Sequence, residues 1–176
     1  MLPDPRPCAA GCETRVYNPY AMPHPDSPGV RVPPPLYYAS GLAAGWLIGR
    51  LVPIPFELPA SASNWIAAVL LIVAAALGAL PISLFVRART SFLPHRPANS
   101  LVIEGPYRFT RNPMYVGMGF LYAGLATLFQ WWWALILLPA VLWAIDRIVI
   151  SREEAYLRRR FGSDYERYCT RVRRWL

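Results

Sequence analysis

The run from Trp65 to Val86 constrains this chain more than any other feature: it is almost unbroken Ala, Leu, Ile and Val and carries no charge. Its length exceeds the roughly 20 residues a helix needs to cross hydrocarbon. A backbone in lipid must satisfy its own hydrogen bonds, so a helix is expected over residues 65–86, with a kink at Pro81. Three more apolar segments accompany it, at about residues 36–53, 113–129 and 131–150. Gly41, Gly45 and Gly49 recur at every fourth position of the first, a ridge suited to close helix packing. The last two are joined so tightly at Gln130 that they must be antiparallel neighbours, and Trp131 to Trp133 suit a membrane interface. The predicted fold is an all-α integral membrane protein of about four transmembrane helices.

Charge sets the expected orientation. All 18 basic residues are arginine, against 10 acids, giving a formal charge of +8. They flank apolar runs instead of forming a separate basic face, so no nucleic-acid partner is expected. Arg87, Arg89, Arg96, Arg108 and Arg111 lie between segments two and three; Arg147 lies at the end of segment four, and Arg152, Arg158 to Arg160, Arg167, Arg171, Arg173 and Arg174 follow it. The other two connections contain only Arg50. The positive-inside bias then puts both termini and the central loop in the cytosol, as expected in a bacterial inner membrane.

Residues 1–35 are Pro-rich and read as an extended leader without the apolar core of a signal peptide, leaving 36–176 as the folded domain. Cys8, Cys12 and Cys169 are too few and too scattered for a disulfide framework, and Cys8 and Cys12 with His24 lack a second ligand pair, so no metal site is expected. In residues 151–175, Leu157, Phe161, Tyr165, Tyr168 and Val172 form an apolar stripe interrupted at Gly162, which predicts two short amphipathic cytosolic helices. Ser163 and Glu166 have the spacing of a capping box.

Chemistry concentrates between Gly105 and Gly117, where two prolines, two arginines and two tyrosines fall within thirteen residues. Two prolines there break the helix and leave backbone polar groups available to a ligand. The pattern Leu101-Val102-x-x-Gly105-Pro106-Tyr107-x-x-x-Arg111-Asn112-Pro113-x-Tyr115-x-Gly117 is followed by Glu153-Glu154-x-x-Leu157-x-x-x-Phe161-Gly162-x-x-Tyr165-x-x-Tyr168. Together these resemble the isoprenylcysteine carboxyl methyltransferase and phospholipid methyltransferase superfamily over roughly residues 99–175.

The resemblance implies an enzyme that transfers a methyl group from S-adenosylmethionine to a lipophilic acceptor at the cytosolic membrane face, without a soluble dinucleotide-type domain. It implies a cofactor pocket lined by Asn99, Ser100, Leu101, Val102, Tyr107, Asn112, Pro113, Met114 and Tyr115, with Glu153 as a further contact. The residue types suit that task. Tyr107 and Tyr115 can present π faces to a sulfonium or adenine, Arg111 can meet the methionyl carboxylate, and Glu153 can accept from ribose hydroxyls or the ammonium. Arg111 and Glu153 are thus the candidate catalytic residues.

Blander roles compete. The tyrosines also suit an interface, the arginines lipid phosphates, and Glu153 and Glu154 the positive end of a cytosolic helix. No histidine lies within the motif, and His95, upstream of it, is the only candidate base. Asn112 stands where eukaryotic members of the superfamily carry His, and Val149 where they carry an arginine associated with prenylcysteine. Rival readings are methylation of a small thiol, a non-catalytic membrane protein retaining the fold, and an NADPH-binding reductase.

Overall fold

The computed structural model describes residues 29–30, 32–87 and 101–176. Residues 1–28 of the leader, with Cys8, Cys12 and His24, and the positions Arg89, His95, Arg96, Asn99 and Ser100, lie outside the described residues. The described chain is helical: α1 (Pro34–Leu51), α2 (Ala60–Arg87), a 3₁₀ turn (Gly105–Arg108), α3 (Pro113–Leu128), α4 (Trp132–Ala144), α5 (Ser151–Phe161) and α6 (Ser163–Arg171). Among the described residues no strand forms; Thr110 and Arg173 make an isolated parallel bridge.

Two of these helices are long and apolar enough to cross a membrane, Ala60–Leu84 and the continuous Trp132–Phe161, while Pro113–Leu128 is apolar but shorter. Prolines mark several boundaries. Pro34 and Pro35 open α1, where a missing N–H costs no hydrogen bond, and Val52 before Pro53 closes it. Pro113 likewise opens α3. Pro81 does not end α2, which continues to Arg87.

The expected boundary at Ser151 is absent. Residues Ile145–Ile150 form a π turn that joins α4 to α5 without interruption, and the chain breaks only at Gly162, with φ 52°. Gly162 is also the N-cap of α6, so the predicted capping box does not form: Ser163 already lies inside the helix and makes no side-chain cap. Only glycine takes that left-handed conformation cheaply, and it claims the cap position.

Helix α1 lies against α4 through its glycine ridge. A Cβ on Gly45 would meet the Ala134 backbone at 2.4 Å, whereas one on Gly49 would only touch Trp133 at 3.7 Å. Helix α3 lies equally close to α2, with Gly117 facing Leu77 and Gly124 facing Leu71. The core between α1, α3 and the long helix contains Tyr38, Tyr122, Ala126, Ala134, Ile145 and Ile150. At the α3–α4 hairpin Gln130 adopts φ 54°, and the N–H of Trp131 donates to the Ala126 carbonyl at 2.7 Å. The Gln130 amide then grips Leu58 twice, accepting from its N–H at 3.0 Å and donating to its carbonyl at 3.2 Å.

A side chain at position 45 would therefore force the two helices apart. Gly45→Leu is expected to lower stability by about 3 kcal/mol, the upper range for overpacking, and Gly49→Ala by less than about 0.5 kcal/mol. Thermal unfolding of both variants in detergent measures the contrast.

Candidate functional site

At the end of the bundle remote from the hairpin, the Pro-broken loop meets α5. The hydroxyl of Tyr115, one turn into α3, donates to Glu153 Oε1 at 2.6 Å. Tyr38 on α1 donates to the Tyr115 carbonyl at 2.9 Å, fixing the same residue from the other side. The second Glu153 oxygen takes no hydrogen bond from any described residue. Glu153 is half-buried and Tyr115 buried, so a partly free carboxylate stands against an aromatic wall.

Tyr107 supplies a second wall. It is buried in a cluster with Tyr165, Tyr168 and Val172, against which Leu101, Val102, Leu157 and Phe161 pack. Tyr168 donates to the Tyr107 carbonyl at 2.7 Å, which ties the 3₁₀ turn to α6. Burial holds the Tyr107 phenol above the usual tyrosine range, and the nearby Tyr168 and Glu153 push it the same way. Burial likewise raises Tyr168, while the positive charge of Arg111 works against it. These phenols stay neutral donors throughout the physiological range.

Behind this layer lies a buried ionic cluster centred on Glu154, only 6% exposed in its side chain. Arg111 approaches one oxygen at 3.3 Å. Arg174 takes both, with Nε at 3.1 Å and a terminal nitrogen at 2.6 Å. The other terminal nitrogen of Arg174 reaches both oxygens of Asp146 at 3.2 Å, and the Trp175 indole donates to Asp146 at 3.0 Å. The hydrogen bond to Glu154 raises the Arg174 pKa further, so the cation is permanent.

Backbone contacts complete the junction. The Arg111 N–H donates to the Arg173 carbonyl at 2.9 Å, and Thr110 and Asn112 side chains both donate to the Arg174 carbonyl, at 3.1 and 2.9 Å. The last residues of the chain thereby act as a splint for a loop that has no ladder of its own.

The structure thus brings Leu101, Val102, Tyr107, Tyr115 and Glu153 to one end of the bundle, with Pro113 and Met114 in the first turn of α3. Arg111 faces Glu154 and the Cys169 thiol, and its Nε is buried with no hydrogen-bond partner. Asn112 spends its amide on the tail. Glu154 was expected to favour a helix start; no helix starts there, and the residue is instead an internal counter-ion. Arg174, one of the arginines for which lipid phosphate was the competing partner, is turned inward onto it. Val149, where an arginine was of interest, is fully buried, and Arg147 and Arg152 point outward.

Sequence reasoning missed Tyr38, Asp146, Arg174 and Trp175. No local spacing marks them, because each acts on a partner at least twenty positions away.

Comparison with known proteins gives the same direction. The phospholipid methyltransferase family matches residues 63–164, more than half of the chain. A Protein-S-isoprenylcysteine O-methyltransferase of Schizosaccharomyces pombe is 38% identical over 72 residues, which cover 41% of this chain and 30% of that protein. An uncharacterized protein of Haemophilus influenzae is 53% identical over 32 residues, covering 18% of this chain and 51% of its own length. The chain therefore matches about a third of the first relative and half of the second. No solved structure matches it.

Removing the Glu154 carboxylate would leave Arg111 without an anion and Arg174 with Asp146 alone. Glu154→Ala is expected to cost about 3 kcal/mol, the lower end for breaking a buried pair because Arg174 remains partly solvated, whereas Asp164→Ala, which breaks the exposed pair to Arg167, should change stability by less than about 0.5 kcal/mol. Chemical denaturation of both variants tests the difference.

Proposed function

The chain belongs to the phospholipid methyltransferase family, and from that premise we propose that it transfers the methyl group of S-adenosylmethionine to a lipophilic acceptor, at the cytosolic face of a membrane that α1 and α3 cross along with the two longer helices. One observation carries the reading: Glu153 is fixed by Tyr115 through one oxygen and has the other free, beside the buried Tyr107. A carboxylate with one oxygen held and one open suits ribose hydroxyls or an ammonium group. Aromatic faces on either side suit a sulfonium.

S-adenosylmethionine supplies an activated methyl group whose sulfur leaves without protonation. The protein's task is then alignment and exclusion of water, not acid–base relay. Tyr115 orients the Glu153 carboxylate, and Tyr38 orients Tyr115. Leu101, Val102, Asn112, Pro113 and Met114, with Asn99 and Ser100 before them, form the rest of the pocket in this reading. Arg111 belongs to the machinery as a positioning residue: from behind the loop it holds Pro113 and Tyr115 in register through Glu154.

Helix lengths support four crossings. At 1.5 Å per residue, the 18 residues of α1 and the 16 of α3 extend roughly 27 and 24 Å, close to the hydrocarbon thickness of about 30 Å. Arginines at the Glu153 end outnumber those at the hairpin end, which has Arg50, and this supports the cytosolic assignment.

Glu153→Gln should weaken S-adenosylmethionine binding at least about tenfold, the loss of a hydrogen bond to a charged group, with the unfolding midpoint preserved. Equal affinity for wild type and Glu153→Gln, measured by calorimetry in detergent, would remove Glu153 from the cofactor site. Incubation with methyl-labelled cofactor and a lipid extract should place label in a lipid-soluble ester, amine or thioether. Label confined to water-soluble products would count against the lipophilic acceptor.

A further inference from the structure

A cleft opens at the end of the bundle opposite Glu153, where the loop after α1 meets the α3–α4 hairpin. Its volume is about 520 Å³, within the size range of small-molecule sites. The walls are aromatic. Phe56 and Trp132 meet edge to face with centroids 5.1 Å apart, and Phe129 stacks on Trp131 at 5.0 Å.

Most of the cleft's polar groups are already engaged. The Trp132 indole N–H donates to the Phe56 carbonyl at 2.6 Å and that of Trp133 to the Val52 carbonyl at 2.7 Å. The Gln130 amide is spent on Leu58. Two charged groups remain, Arg50 and Glu57, both lining the cleft and neither in an ion pair or hydrogen bond with any described residue. One cation, one anion and six aromatic side chains around a single cavity call for a ligand with the opposite arrangement.

We infer that this cleft binds a zwitterionic phosphoalkylammonium group, with the phosphate on Arg50 and the ammonium between Glu57 and the aromatic rings. A guanidinium pairs with phosphate through parallel hydrogen bonds, and ring faces attract alkylated ammonium. The cleft sits where apolar helices end amid tryptophans, the depth at which lipid headgroups stand. That placement rests on the membrane reading above. The chemistry does not, and the site is distinct from the Glu153 end: α3 alone separates Tyr115 from Phe129 by about 20 Å.

The test uses the full chain in detergent and three probes: dihexanoylphosphatidylcholine, dihexanoylphosphatidylglycerol and glycerophosphocholine. Calorimetry should show saturable binding of the phosphatidylcholine, weakened about tenfold or more by Arg50→Gln and by Glu57→Gln. The phosphatidylglycerol, which lacks the cation, should bind more weakly and respond to Arg50→Gln but not to Glu57→Gln. Glycerophosphocholine binding with the same dependence would identify a free headgroup compound as a source; binding of the lipid alone would identify the bilayer. Equal binding of both lipids, or affinities unchanged in both variants, overturns the inference. Unfolding midpoints of the variants verify that they are folded, and S-adenosylmethionine affinity measured on the same samples reports separately on the other end of the molecule.

Discussion

A carboxylate withdrawn from water must be matched or it will not stay charged, and Glu154 is matched from two directions in sequence. Arg111 arrives from the loop before α3 and Arg174 from the extended residues after α6. Their shared anion fixes the distance between two segments that have little regular structure. The bridge between Thr110 and Arg173 and the carbonyl of Arg174, which accepts from both Thr110 and Asn112, then set their register. The arrangement leaves a residual cost. Arg111 Nε is buried without a partner, which typically costs about 1–3 kcal/mol, so the cluster must contribute more elsewhere to persist.

Tyrosine does for the apolar parts what Glu154 does for the charged ones. Tyr38, Tyr122 and Tyr168 each bury a ring and end on a backbone carbonyl, those of Tyr115, Ala134 and Tyr107 respectively. Such a side chain fills helix interfaces with apolar surface while placing one directional bond far from its own backbone. Two of the three carbonyls belong to the tyrosines that wall the Glu153 end. Positioning of that end is therefore distributed over α1, α6 and the tail, of which only α6 carries part of the motif.

Much of this architecture was legible in the amino-acid order. The apolar runs, the prolines that open α1 and α3, the ridge of Gly41 and Gly45, and the stripe of Tyr165, Tyr168 and Val172 all act locally, through periodicity or fixed backbone geometry. Each reappears as a helix, a start or a packed face. The pairing of Tyr115 with a glutamate thirty-eight positions away was not derivable from spacing and came into view through resemblance alone. What escaped was either cooperative or non-local. Nothing in Ile145–Ile150 announces a π turn, because its residues suit an α-helix equally well. Arg174 and Asp146 look like ordinary surface charges until the fold brings together two positions 28 apart in sequence.

The π turn gives the two glutamates their separate tasks. A π turn adds a residue to the helix without adding a turn, and such bulges are frequent at functional sites. In a regular helix each residue advances the side-chain direction by about 100°, so losing one residue from the turn would rotate everything beyond it by that amount. Glu153 would leave Tyr115, and Glu154 would leave the space between Arg111 and Arg174, since both sit downstream on the same rigid cylinder. The free carboxylate at the proposed site and the paired one behind it are thus set by one local irregularity. Because α5 continues from the membrane-length helix without a break, that setting is transmitted along the longest rigid element of the molecule and does not depend on a flexible connection.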